Sequence, residues 1–379
     1  MNVLVIGSDR NLFVKGSDAQ KRIMEYGKLF DQLHVIVFAD KKLGLTELKL
    51  DENVWVYPTG HSYRFLYLGS VFRIARSAAS RCRLSVITTQ DPFEAGFAGW
   101  LLKLRLRIPL QIQVHTDFLS PYFAKESLLN RLRVMLAKFL LRRADGIRVV
   151  SERIRKSILT LDLRPSAKIS VLPIFVDVKK IQSAKIKTDL HQKYPGHDFI
   201  ILMASRLTRE KNIGMAIEAF ARVRSEVSDR NPLLLIVGDG PELGKLKAES
   251  KRLNVDAGVS FEPWTNDMIS YYKTADLFLL TSNYEGYGRT VVEAMAAGLP
   301  VAMTDVGLAG ELLIDDLDGV VVPVGKGVIL AESIVPLLHQ PERTEAFKTE
   351  ALRALKDYGN KAEYLASYKN ILEQCVSSS

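Results

Sequence analysis

The sequence predicts an α/β protein built from two doubly wound domains. Three observations carry that expectation. Short runs rich in Val, Ile and Leu alternate with helical stretches along most of the chain, the pattern of a parallel sheet with helical crossovers. Several of these runs are apolar throughout, as strands covered on both faces must be. The 379 residues are enough for two domains of ordinary size.

In the first half, NVLVIG (2–7) is a first strand that ends in glycine. Lys15-Gly16-Ser17 precedes a helix over 18–30, with Ser17 as its N-cap. Strands follow at 33–38, 54–58, 84–89, 110–115 and 146–150, with helices near 65–81, 93–106, 125–144 and 151–160. Ligands in such sheets bind at the carboxyl ends of strands. His115 stands at one, in QVHTDF. A lone histidine there is usually a satisfied core or edge residue, and Asp117 reads as a loop cap.

A polar stretch broken by Pro195-Gly196 marks a linker near 175–195, dividing domains 1–178 and 179–357. The second domain opens with FIILMASRLTREKN (199–212), a strand running into a loop with Arg206 and Lys211. Arg offers a bidentate fork and Lys a point charge to a diphosphate; the plain reading is two exposed loop cations. Glu210 reads as an acid in the first turn of a helix. LLLIVGDGPE (233–242) places Gly238 in a tight turn after a strand. VSFEPWTND (259–267) holds Trp264, either beside a ligand or in the core.

The second domain centres on SNYEGYGRTVVEAMAAGLPVAMTDVGLAGE (282–311). A buried strand at 276–281 leads into a loop with Glu285, Gly286, Tyr287 and Gly288. A helix over 289–297 follows, stopped by Gly298 and Pro300. Free amides near Gly288, Arg289 and Thr290 suit anionic or hydroxyl-rich ligands. The carboxylates of Glu285 and Glu293 accept hydrogen bonds from paired sugar hydroxyls. Helices near 326–338, 342–356 and 358–374 complete the chain.

Composition narrows the function classes. Apolar residues make up 47% and charged residues 25%, a globular balance. Cys82 and Cys375 are far apart, which fits a reducing compartment without a disulfide framework. No apolar run nears the ~20 residues of a membrane span, and the N-terminus enters a strand directly, so a cytoplasmic location is expected. Residues 1–180 carry 30 Lys and Arg against 16 Asp and Glu, whereas 181–379 carry 22 against 27. Basic residues concentrate at 63–83, including Arg64, Arg73 and Arg76, at 104–107, and at 128–156, including Arg131, Lys138 and Arg142. Either these are solvated helix faces or they lay the domain on an anionic membrane surface. No nucleic-acid motif accompanies the charge. No cluster of His, Asp or Glu has metal-ligand spacing, so no metal is expected.

The phrase EGYG…EAMAAGLPV, together with SRL, TTQDPFEAGFAG and QVHTDF, resembles the signature of retaining glycosyltransferases of family 4. That resemblance implies the GT-B architecture, two Rossmann-like domains facing across a cleft, with the last helix (358–379) rejoining the first domain. It implies metal-independent transfer of a hexose from a UDP- or GDP-sugar, with retention, to a glycan or lipid-linked acceptor at the cytoplasmic membrane face. No cofactor is implied. Glu293 would hold the ribose hydroxyls, and Glu285 with the amides from Gly286 to Thr290 the sugar. Arg206 and Lys211 would neutralise the diphosphate, and His115 would contact the transferred sugar. Gly16 and Gly238 would let backbone approach the donor, with Trp264 beside the base. Three departures stand out. Gly16 lacks the usual glycine partner, Ile174 and Phe175 replace Asn and Gly, and Arg289 replaces an uncharged residue. The alternatives are a nucleotide-sugar epimerase of the same architecture and a non-catalytic, membrane-associated binding protein.

Overall fold

The structure, a computed structural model, describes residues 1–62, 67–163 and 167–377. Tyr63, Arg64 and Phe65 of the first basic stretch lie outside the described residues. The chain divides into two compact units, one of Met1–Pro173 with Lys361–Ser379, the other of Ile174–Asn360.

The first unit is built on eight strands. They are β1 (Asn2–Gly7), β2 (Gln32–Val37), β3 (Leu48–Asp51), β4 (Val54–Pro58), β5 (Val86–Thr89), β6 (Leu110–Val114), β7 (Gly146–Val149) and β8 (Lys168–Val171). Their order is β3-β4-β2-β1-β5-β6-β7-β8. All pair in parallel except β3, which returns antiparallel on β4. The interior strands are apolar throughout because both faces are covered: Val3, Leu4 and Ile6 have no exposed surface. The two unforeseen strands, β3 and β8, are the edges, and their half-exposed, mixed sequences carry no apolar run.

Two helices differ from expectation. The one expected over 125–144 is broken at Ser127, whose side chain accepts from Asn130 N and starts a new helix, Leu128–Leu141, after Pro121–Glu126. The one starting at Asp18 stops at Gly27, while its Ser17 cap forms as expected, accepting from Gln20 N. The final helix, Lys361–Ser377, buries Tyr368, Leu372 and Cys375 in the core of this first unit, against residues of β1, β2 and β4. Full burial of one such leucine contributes roughly 1.5–3 kcal/mol.

The second unit has β9 (Phe199–Ala204), β10 (Pro232–Val237), β11 (Val259–Glu262), β12 (Leu277–Leu280), β13 (Val301–Thr304) and β14 (Val320–Val322). Their order is β11-β10-β9-β12-β13-β14, parallel throughout. Counted from β9, this is the 3-2-1-4-5-6 order of dinucleotide-binding sheets. The order reverses between β9 and β12, so the loops leaving those two strands open a crevice where such folds hold ligands.

Candidate functional site

The loop after β9 runs from Ser205 to Asn212, and the loop after β12 from Thr281 to Gly288. Backbone and small polar side chains tie them together. Thr281 Oγ1 donates to the carbonyls of Lys211 (2.9 Å) and Asn212 (3.1 Å), and Asn283 N donates to Glu210 O at 2.8 Å. Asn212 takes a left-handed conformation (φ 45°) to turn into the helix Ile213–Glu226, a geometry Asn tolerates better than most residues.

This lacing brings Lys211 Nζ to 2.6 Å from Glu285 Oε1 and 2.8 Å from Glu210 Oε1. Ser282 Oγ donates to the same Glu285 oxygen at 2.8 Å. Arg206 reaches Glu210 at 3.4 Å with its side chain 73% exposed, whereas those of Lys211 and Glu285 are only 12% and 14% exposed. Burial opposes the ammonium charge of Lys211, but Glu285 and Glu210 outweigh it and raise its pKa. An ammonium has three donors, and these two carboxylates leave one for a ligand anion. Glu210 does lie in the first turn of a helix, the short 3-10 helix Arg209–Lys211. There it joins the two cations. Ser282 was missed; its hydroxyl gives no sequence signal of its own.

Glu293 lies on the helix Arg289–Ala296, one turn from its start. Tyr272 OH donates to its Oε2 at 3.2 Å, and Arg289 Nε donates to Oε1 at 2.8 Å. Burial first, and then Glu293, push the Tyr272 hydroxyl far above its usual range, so it remains a donor. Arg289, 55% exposed, thus occupies one carboxylate oxygen as a surface ion pair. The helix is preceded by Gly288 (φ 99°) and has no capping side chain; its first amides face the loop uncapped, as an anion site requires. Thr290 lies in that first turn. Tyr287 is buried, its hydroxyl 2.9 Å from that of Tyr358.

Gly238 and Gly307 are among the glycines of this unit that crowding dictates. A Cβ on Gly238 (φ 147°) would lie 1.9 Å from Ser205 O, and one on Gly307 (φ 56°) 2.4 Å from Tyr287 O. Gly238 therefore keeps the loops after β9 and β10 in contact. Gly307, which sequence reasoning passed over, does the same for the loops after β12 and β13, with Leu308 N donating to Tyr287 O at 2.9 Å.

Trp264 is 53% exposed, which removes the core alternative. Gly16 (φ 74°) and His115 belong to the first unit. His115 Nε2 lies 3.0 Å from Gln113 Oε1. Burial, with the charges of Arg148 and Arg22, pushes the imidazole down to about 3. Asp177 caps the short helix Val178–Ser183, donated to by Lys180 N. The triplet Asp316-Leu317-Asp318 has the spacing of a metal-binding acidic motif, which the sequence reading overlooked. Arg343 (2.6 Å) engages Asp316, and Ile314 N (2.6 Å) engages Asp318. Among the described residues no three His, Cys, Asp or Glu side chains are grouped to hold a metal ion.

Known proteins match both units. The family model "Glycosyl transferases group 1" matches residues 187–354, and "Glycosyltransferase Family 4" matches 24–180. The alpha-monoglucosyldiacylglycerol synthase of Streptococcus pneumoniae is 29% identical over 303 residues, spanning 76% of this chain and 66% of that protein. The N-acetyl-alpha-D-glucosaminyl L-malate synthase of Bacillus anthracis is 23% identical, over 82% of this chain and 89% of its own. Among solved structures, the sucrose-phosphate synthase of Thermosynechococcus elongatus superposes with a TM-score of 0.82 at 18% identity, covering all of both chains. Anabaena HepE in complex with UDP-glucose gives 0.76 at 21%, again over both whole chains. The fold is therefore GT-B. With one model on each unit and the motif residues at the switch point of the second, the chain belongs to the family 4 glycosyltransferases.

Proposed function

We propose that this protein transfers a hexose from a nucleotide sugar to an acceptor hydroxyl with retention at the anomeric carbon. The observation that carries the reading is the Lys211–Glu285 pair at the switch point between β9 and β12. It sets a half-buried cation and a sugar-hydroxyl acceptor side by side. Lys211, with Arg206, faces the diphosphate. Glu285 and the amides from Gly286 to Thr290 hold the sugar, and Glu293 the ribose. The bond from the anomeric carbon to the diphosphate oxygen breaks as the acceptor oxygen bonds to the same face. The acceptor proton passes to the departing phosphate. Lys211 and Arg206 offset the charge that builds there, and the reading assigns no step to a metal. HepE in complex with UDP-glucose makes UDP-hexoses the first donors to try.

The acceptor in this reading is lipid-linked, met at a membrane surface. The diacylglycerol named for the Streptococcus relative supports it, as does the helix Leu128–Leu141. That helix buries Ala137, Leu140 and Leu141. It also shows a second apolar stripe outward: Leu128 is 73% exposed, Leu132 62% and Met135 68%, with Phe139 continuing the row. Arg131, Arg142 and Arg143 flank the stripe, and residues 127–143 contain no acid. Such a face suits an anionic bilayer, at about 1 kcal/mol per basic residue near the surface.

The deciding experiment is a thermal-shift screen with UDP- and GDP-sugars, followed by transfer assays in excess chelator and determination of the product anomer. A donor-stabilised chain that makes a retained product meets the proposal. Isomerised donor without acceptor would make it an epimerase, and a chelator-dead, metal-restored enzyme would overturn metal independence. Flotation with phosphatidylglycerol vesicles, abolished by Leu132→Asp and Met135→Asp, tests the surface. Salt-independent dimerisation through that face would replace the membrane with a second copy.

A further inference from the structure

A line of buried polar side chains crosses the sheet of the first unit and ends at His115. Arg148 on β7 is 3% exposed, and among the described residues no carboxylate pairs with it. Its Nη1 donates to Gln113 Oε1 at 2.9 Å, and its Nη2 to Tyr364 OH (3.0 Å) and Leu172 O (3.3 Å). Gln113 on β6 donates from Nε2 to Thr88 Oγ1 at 2.9 Å, and Thr88 donates on to Gln111 Oε1 at 3.0 Å. Burying an arginine without a counter-charge is costly, so the arrangement calls for a reason.

The chemistry of the donors fixes the direction of the bonds at Gln113. A guanidinium has no acceptor. The atom of Gln113 facing Arg148 must therefore be its oxygen, and the amide cannot be flipped. That same oxygen lies 3.0 Å from His115 Nε2. Two oxygen lone pairs accept two donors, so Nε2 must carry a hydrogen. Nδ1 of the neutral ring is then a bare acceptor, and no hydrogen bond engages it among the described residues.

We infer that Arg148 and Gln113 are positioning residues that lock His115 as the Nε2–H tautomer, so that a substrate hydroxyl meeting the ring at Nδ1 must donate to it. The tautomer stands on the geometry alone. Its use rests on the reading that His115 contacts substrate. Burial, Arg148 and Arg22 together disfavour the imidazolium, so His115 accepts a hydrogen bond rather than supplying a proton. This separates the roles in the transfer: the acceptor's proton goes elsewhere, and His115 reads a hydroxyl.

The test is long-range proton–nitrogen NMR on the full chain labelled with 15N-histidine, with His115 assigned by its loss in His115→Asn. The expected signature is a protonated Nε2 and a pyridine-like Nδ1 from pH 8 to pH 5. Gln113→Leu should give a mixture of tautomers, and Gln113→Glu, which keeps an acceptor in place, should restore Nε2–H. A protonated Nδ1 in the wild type, or an unchanged tautomer in Gln113→Leu, would overturn the assignment. Arg148→Met should release Gln113 and also mix the tautomers; should it not fold, the Gln113 pair decides. In transfer assays, Gln113→Leu should lower turnover roughly tenfold or more with donor-induced thermal shift retained, and Gln113→Glu should recover part of it. If no sugar is transferred by any variant, the reading of function fails while the tautomer is still decided by NMR.

Discussion

Lys211 and Glu285 lie 74 positions apart in the chain yet meet at 2.6 Å between Nζ and Oε1. Their meeting follows from sheet order. β9 and β12 are neighbours, so the loops that leave them share one end of the sheet. Lys211→Met should cut turnover by about 10²–10³, as loss of an electrostatic donor does. It should also lower stability, because Glu285 and Glu210 lose their shared cation. Adding Glu285→Gln should restore the melting temperature without restoring transfer. Recovery of both would make the pair structural only.

Arg289 holds an oxygen of Glu293 that ribose hydroxyls would need. An exposed pair of this kind contributes about 0.2–1 kcal/mol. Arg289→Ala should therefore tighten donor binding by up to about fivefold in calorimetry. Weaker binding would instead place the guanidinium on the donor itself.

Gly238→Ala forces a Cβ against Ser205 O in a backbone conformation that disfavours any side chain. Overpacking and strain together should cost at least about 3 kcal/mol, read as a lower urea midpoint. At Gly16 (φ 74°), where a Cβ meets nothing within 4 Å, alanine should cost only the backbone strain, about 1–2 kcal/mol. Equal losses at the two positions would contradict the crowding argument.

His34 on β2 is fully buried, 3.0 Å from Tyr57 OH and stacked on Trp55. Burial, with Arg81, pushes its pKa down to about 4. The unfolded chain takes up the proton below about 6.5 and the folded chain only near 4, so unfolding binds protons in that window. Stability should fall as pH drops from 6.5 to 4, by up to about 3 kcal/mol from this residue. His115 acts in the same direction. Urea midpoints at pH 7.5 and 5 in wild type and His34→Asn check this; an identical slope in both would remove His34 as the cause.

Much of this was legible in sequence because buried parallel strands must be apolar on both faces. β1, β2, β9 and β10 could hardly be read otherwise. β3 and β8 escaped because edge strands need only half a core. The break at Ser127 was hidden by apolar residues on both sides, with only a hydroxyl to mark it. At the site, Lys211, Glu285 and Glu293 stand in a phrase whose spacing carries information. Glu210 was legible as a helix-start acid, but its contacts with Arg206 and Lys211 were not, because a local rule about helix starts says nothing of ion-pair partners. The line from Arg148 to His115 was invisible: its members come from three strands and the last helix, and only the folded sheet sets them in a row.

The last helix packs in the first unit, although the chain leaves that unit at Pro173 and returns only at Lys361. On a ribosome, then, residues 1–173 emerge with a gap where Tyr368, Leu372 and Cys375 belong. Everything from Ile174 to Asn360 can settle before the gap is filled. A chain cut before Lys361 would expose the apolar seam that chaperones and proteases seek.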